Sequence, residues 1–483
     1  MPSQPIRCPE QSIFVDGFTR IRSELDLPTS FKPEVLAEAQ AAAERGPVMP
    51  PGVPHTEIAD RRDIDFVTVD PPGSLDLDQA YAAERRGSGY RVFYAIADVA
   101  AFVAPGGAID AEAMERAVTL YSPDIRTALH PTVLSEGAAS LLAEQDRQAL
   151  LWSIDLDAEG RLESAHLERA MVRSREQLDY RTAQQRIDEA GRPEDSLSLL
   201  STIGRLRQDR EAERGAVSLS LPSQEVTELP DGGYGLEYDE TIPVENWNAQ
   251  ISLLTGIAAA EIMIDGGVGI LRTLPKPYNR TVRSIRQSAL ALGIDWPKGM
   301  SYADRIRGLD GNEPRYAALL TQAARALRGA GYVAFDGELP EMRSHSAIAA
   351  EYAHVTAPLR RVADRFANEV LLALCADREP PEWAVETLAQ IPRAMGRGTQ
   401  RDRSLEKAIV DFVEAIVLAP RVGESFSAVV VDVDAEAGRS KVQLLDPAVV
   451  ARIERGDLEL GAELTLELTA ADPDQRSIVF AVA

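Results

Sequence analysis

The stretch TVDPPGSLDLDQA, residues 68–80, sets three carboxylates around a Pro-Gly turn: Asp70, Asp76 and Asp78. Alternate side chains of an extended segment share a side, so Asp76 and Asp78 point the same way, and Asp70 on the other arm of the turn can converge with them. Three carboxylates in a small volume repel one another unless a cation lies between them, and hard oxygen ligands suit Mg²⁺ or Mn²⁺. A site of that kind can activate water and stabilise the attacking and leaving oxygens of a phosphodiester. Acid triplets around turns are also common as solvated loops or helix caps, and the spacing alone leaves both readings open. An EF-hand calcium loop fits less well, because its ligand ladder and terminal glutamate are absent.

The elements around these acids read as mixed. FVTVD at residues 66–70 predicts a strand that ends at PPG, and an alternating stretch over residues 90–103 predicts another after a Gly-Ser-Gly turn. Asp110 sits where an N-cap would stand before AEAMERAVTLY, and WSIDL at residues 152–156 resumes strand character. Residues 177–214 carry charged helical patterns, and Ala and Leu recur at helical spacing over residues 244–264 and 316–327. Before the acids come a helical stretch, Pro33–Arg45, and a Pro-rich turn or linker at residues 47–54, too short for a pair of nucleic-acid-binding barrels. Past Pro420 the chain turns to short strands, including SFSAVVVDVD, SKVQLLD, ELTLELTAAD and RSIVFAVA, which predict a small closed barrel of the OB type. The expected fold class is mixed α/β (α+β), with a short helical region at 1–58, a catalytic domain at 59–419 and the barrel at 420–483.

Composition narrows the functions. At 483 residues the chain is long enough for several domains of ~100–200 residues each. Its 45% hydrophobic and 26% charged residues suit a globular protein with a sizeable core. Unbroken apolar runs, such as residues 370–376 and 415–420, fall far short of the ~20 a membrane helix needs, so no span is expected. MPSQPIRCPE lacks the pattern of a secretory signal, which makes the cytoplasm the expected compartment. Cys8 and Cys375 form no CxxC pair, so neither a disulfide framework nor a cysteine zinc site is expected. A formal charge of −25 argues against a protein that coats nucleic acid non-specifically. Contact with RNA would have to be local and weak, in a groove lined by the basic clusters at residues 272–286, 360–365 and 393–407, which otherwise read as solvated helix faces.

The acid stretch resembles the signature of the RNB (ribonuclease II) family, in which a strand ends in an Asp and a turn leads to an Asp-x-Asp-Asp cluster. The likeness continues in family order through YAIADVAAFV (94–103), LYSPDIRTALHPTVLSEGAASL (120–141), SREQLDY (174–180), RGAVSLSLP (214–222) and above all YAHVTAPLRRVAD (352–364). The resemblance implies a hydrolytic 3′-to-5′ exoribonuclease with a channel for single-stranded RNA, dependent on Mg²⁺ or Mn²⁺ and releasing nucleoside 5′-monophosphates; a monomer is the separate expectation for its assembly. Asp70, Asp76 and Asp78 fall on the first three acidic positions of the motif. Tyr121 falls on the tyrosine that holds the RNA end by stacking, which every base permits. Arg360 matches an arginine expected on the scissile phosphate. Its neighbour Arg361, on a helix, would point elsewhere. Glu406 aligns with a glutamate at the end of the channel, and His354 reads as structural.

The departures from the family pattern are specific. The fourth acid is Gln79, whose amide oxygen can ligate a cation but brings no charge. Where relatives carry paired glutamates before a long helix, this chain reads VENWNAQISLLTG, and neither Glu245, Asn248 nor Gln250 takes that role unambiguously. Gln79 and the acidic surface motivate a rival reading, a non-catalytic or weakly active RNA-binding protein of the same fold. A structural subunit of a larger assembly, suggested by the appended barrel alone, is a third.

Overall fold

The structure is a computed structural model that describes residues 11–53, 58–189, 195–217, 219, 223–228, 234–239, 241–311, 313–444, 446–447 and 449–483. Cys8, Pro54 and much of RGAVSLSLP lie outside the described residues.

Two helices open the chain, α1 (Gln11–Glu24) and α2 (Pro33–Arg45). Pro33 stands in the first turn of α2, where its missing N–H costs nothing, and Gly46 follows its last residue. The α2 helix has the predicted bounds; α1 was not anticipated. The central sheet uses β1 (Ala59–Asp60), β2 (Phe66–Asp70), β3 (Gln79–Arg86), β4 (Gly89–Ala97), β7 (Asp146–Leu156) and β8 (Leu162–Asp179), in the order β1-β8-β2-β3-β4-β7. The long β8 pairs antiparallel with β7 up to Arg173 and parallel with β2 from Ser174, so the sheet curls back on itself. A small hairpin, β5 (Leu120–Tyr121) with β6 (Arg126–Thr127), stands apart from it.

Helix α3 (Ala108–Arg116) lies between β4 and β5, and α4 (Tyr180–Glu189), α5 (Ser196–Arg214) and α6 (Pro243–Gly266) come after β8. Further along come α7 (Asn279–Ala291), α8 (Tyr302–Arg307), α9 (Pro314–Ala326), α10 (Val362–Cys375), α11 (Glu382–Leu388) and α12 (Ile391–Leu418). Trp152, Tyr94 and Val92 of the sheet form the main core with Leu199 and Ile203 of α5, Ile251 and Leu254 of α6 and Phe366 of α10. A second apolar layer sets Leu77, Ala95 and Leu151 against Val35 and Ala39 of α2. Among the described residues α6 is long and apolar enough to cross a membrane; here more than half of its apolar stretch is buried inside the protein. The five strands after Ser425 form one antiparallel sheet with the register of a small barrel, its core built on Phe426, Val430, Leu444, Leu466 and Phe480.

Three local expectations are corrected. Asp110 is not an N-cap: α3 starts at Ala108 and Asp110 lies in its first turn, accepting from the Gly106 N–H at 2.7 Å and pairing with Arg365. The strand expected over 90–103 ends at Ala97, because the buried Asp98 turns aside to hold Arg169 and Gln148. Residues 177–179 finish β8 rather than starting a helix.

Candidate active site

β2 delivers Asp70 at its last position, and Pro71-Pro72-Gly73-Ser74 reverses the chain with Gly73 at φ 76° and the Ser74 N–H on the Pro71 carbonyl at 3.2 Å. Proline before a positive-φ glycine is the residue order a type II turn requires. The returning arm is fixed by Leu77, which buries its side chain and donates its N–H to Ser140 Oγ at 3.0 Å, while the Leu141 N–H donates back to the Leu77 carbonyl at 3.0 Å. With Leu77 turned into the core, Asp76 and Asp78 take the opposite side.

Each acid has a different environment. Asp78 is buried; the Leu359 N–H donates to one oxygen at 2.7 Å and Arg360 Nε to the other at 2.9 Å. Burial still pushes its carboxyl up to about 7, against the pull of Arg360 and the Leu359 N–H. Asp76 accepts the Tyr121 hydroxyl at 3.3 Å and pairs with Arg126. Asp70 keeps one carboxylate oxygen buried without a partner among the described residues, and burial raises its carboxyl to about 6, with Arg360 opposing and Asp76 adding repulsion.

Tyr121 and Arg126 face one another across the β5–β6 hairpin, and both reach Asp76. Arg126 also donates to Glu136 at 3.0 Å. Tyr121 is 50% exposed and burial raises its hydroxyl pKa. Arg360 spends only Nε on Asp78; its side chain is 42% exposed and its terminal nitrogens have no hydrogen-bond partner among the described residues. Its carbonyl accepts the Thr119 N–H at 2.9 Å, which ties it to the strand leading into Tyr121. Asp70, Asp76, Tyr121, Arg126 and Arg360 line one cavity of about 500 Å³, with Asp78 held behind Arg360.

The other predicted residues are placed as follows. Arg360 and Arg361 are not on a helix but precede α10, Arg361 being its extended N-cap. They nonetheless diverge, because Arg361 is forked onto Asp364 at 2.7 Å. His354 hydrogen-bonds through Nδ1 to the Tyr332 hydroxyl at 2.6 Å, packs on Tyr352, and is held neutral by burial with Arg361 and Arg272 nearby. Gln79 donates its amide to the Thr356 carbonyl. Glu406 is exposed on α12 and does not line the acid cavity. Glu245 caps the Ile242 N–H of α6 at 3.1 Å, Asn248 donates to the Val69 carbonyl at 3.2 Å, and Gln250 donates to Glu211. Arg126 and Glu136 were missed by sequence reasoning; the only signal for them was their place within LYSPDIRTALHPTVLSE.

Among the described residues no three acidic or imidazole side chains are gathered into a ready-made metal cage; Asp76 is paired with Arg126 and Asp78 with Arg360. The donor chemistry still fits one hard divalent cation. Asp70 offers a buried, unpartnered oxygen beside Asp76, and only a positive charge would make its ionised form comfortable there.

Residues 58–377 match the RNB domain family, and residues 424–483 match the C-terminal S1 domain of RNase II-type exonucleases. The chain belongs to the RNB domain family. Ribonuclease R of Escherichia coli K12 is 25% identical over 403 residues, covering 77% of this chain and 48% of that protein. The human exosome complex exonuclease RRP44 is 29% identical over 369 residues, covering 71% of this chain and 38% of that one. The chain thus spans half or less of the length of these two relatives. In fold it is similar to Mycoplasma genitalium RNase R solved with ribose-methylated single-stranded RNA (TM-score 0.84, 19% identity, 97% of this chain and 78% of that one). It is also similar to yeast Ssd1, described as a pseudonuclease (TM-score 0.71, 16% identity, 93% and 57%).

Proposed function

We propose that this chain is a divalent-metal-dependent hydrolytic exoribonuclease that shortens single-stranded RNA from its 3′ end. The observation that carries the reading is the single cavity in which an unpartnered Asp70 oxygen, Asp76, the uncommitted nitrogens of Arg360 and the exposed Tyr121 ring meet. Asp70 and Asp76, with Asp78 behind them, would hold Mg²⁺ or Mn²⁺, which when bound supplies an activated water and charge neutralisation. Tyr121 stacks the terminal base, and Arg360 meets the phosphate while its Nε keeps Asp78 in place. Water oxygen joins the terminal phosphorus and the P–O3′ bond breaks, so the released nucleotide keeps its 5′-phosphate.

The second reading, an RNA-binding protein without hydrolysis, is favoured by Gln79, which brings no fourth charge and is turned to Thr356. Incubation of 5′-labelled single-stranded RNA with Mg²⁺, with EDTA, and with the Asp78→Asn variant decides between them. A metal-dependent ladder lost in the variant supports the enzyme; bound, intact RNA under all three conditions supports the rival.

A further inference from the structure

We infer that the amino-terminal helix α1 positions Tyr121 through a buried Arg22–Asp124 clamp, so that α1 helps to set where digestion stops. The inference rests on the reading that Tyr121 stacks the terminal base.

Tyr121 is half exposed, and among the described residues its hydroxyl has only the 3.3 Å bond to Asp76. The ring is therefore placed by its backbone. That backbone is a hairpin with two residues in each strand, closed by the Ser122 N–H on the Ile125 carbonyl at 3.0 Å, too short to hold its own shape. Asp124 stands at its tip. Arg22 of α1, 4% exposed, donates through both terminal nitrogens to both Asp124 oxygens, at 2.7 and 2.8 Å. Leu120, beside Tyr121, packs in one cluster with Phe14 and Phe18 of α1.

A buried ion pair is a poor source of stability, because desolvation consumes the Coulomb gain; what a two-pronged pair provides is orientation. The approach of α1 is similarly specific. Gly17 lies in the middle of the helix, where glycine weakens helical structure, and a Cβ there would fall 1.9 Å from the Phe412 ring of α12. Exposed pairs, Arg20 with Asp474 and Glu24 with Arg476, link the same helix to the carboxyl-terminal barrel. The RNB match begins at residue 58, so α1 belongs to neither matched domain.

The test uses the full chain and 5′-labelled single-stranded RNA, with the length of the final product as readout. Arg22→Met combined with Asp124→Leu removes both charges and keeps apolar bulk; Gly17→Ala pushes α1 away from α12 without touching the clamp. Both are expected to lengthen the final product as Tyr121→Ala does, and adding Tyr121→Ala to either is expected to lengthen it no further. Thermal melts identify a variant that has lost its fold, and if the double variant does so, Gly17→Ala decides. A folded clamp variant that stops at the wild-type length, while Tyr121→Ala stops early, overturns the role of α1 and leaves stacking intact. A Tyr121→Ala enzyme that stops at the wild-type length overturns the stacking reading and this inference with it.

Discussion

Gln79 donates its side-chain N–H to the backbone carbonyl of Thr356, joining the first residue of β3 to the segment that carries Arg360. The residue at the family's fourth acidic position therefore braces the arginine segment. An aspartate there would lower the magnesium requirement if the side chain faced the cation; turned to Thr356, it cannot donate and leaves that carbonyl short of a partner. Gln79→Asp is expected to cost about 1–3 kcal/mol of stability and to lower turnover, with the half-saturating Mg²⁺ concentration unchanged. Denaturant melts and a magnesium titration of hydrolysis at fixed ionic strength check this. A clear drop in the magnesium requirement would show that the side chain faces the metal instead.

Arg126 competes with any cation for Asp76, since its guanidinium is divided between Asp76 and Glu136. Arg126→Met frees one Asp76 oxygen. Mn²⁺ affinity is expected to rise by roughly tenfold, the equivalent of about 1.4 kcal/mol. Equilibrium dialysis of Mn²⁺ measures it without reference to turnover, and unchanged or weaker binding rules the competition out.

Arg360 serves two partners, Asp78 through Nε and the cavity through its free terminal nitrogens. Lysine carries one compact charge and cannot fork in this way. Arg360→Lys should reduce kcat by roughly 10²–10³-fold, the usual loss when one transition-state donor is removed, with RNA affinity little changed. Single-turnover rates and a filter-binding assay separate the two; equal losses in both would make Arg360 a binding residue only.

How much of this was legible in the sequence follows from how local each feature is. Asp70, the Pro72-Gly73 turn and Asp76 to Asp78 are encoded within a few residues, and the strand and loop came out as their spacing predicted. The barrel was legible because its strands alternate between turn residues, and α2 because Pro33 and Gly46 bracket it. The long β8 was not, since charged residues such as Glu168, Arg169 and Arg173 break its alternation; Arg169 is buried on ion pairs a linear reading cannot see. Likewise α1 carries a mid-helix glycine that makes sense only against Phe412. The Gln79–Thr356 bond and the Arg126–Asp76 pair join segments far apart in sequence, and no local pattern announces them.

Behind the sheet, two acids share one arginine: Arg169 pairs with Asp98 at 2.8 Å and with Glu369, all three buried. Gln148 assists Asp98 at 2.8 Å, but one oxygen of Glu369 and one of Asp98 have no partner among the described residues. Burial therefore holds the Glu369 carboxyl well above its ordinary range; Asp98 adds repulsion, and Arg169 and the nearby Arg365 offset only part of this. A carboxyl raised in the folded state binds its proton there more tightly than in the unfolded chain. Its contribution to stability is thus complete below the unfolded value near 4.5 and is lost as pH rises through the folded value toward neutrality. Glu369→Gln removes that titration and leaves Arg169 and Asp98 as a balanced pair. Urea unfolding of both proteins between pH 4.5 and 8 should show the variant gaining on the wild type as pH rises. A stability difference that stays constant across that range, or a variant that loses ground to the wild type as pH rises, would mean Glu369 is already ionised and satisfied in the folded protein.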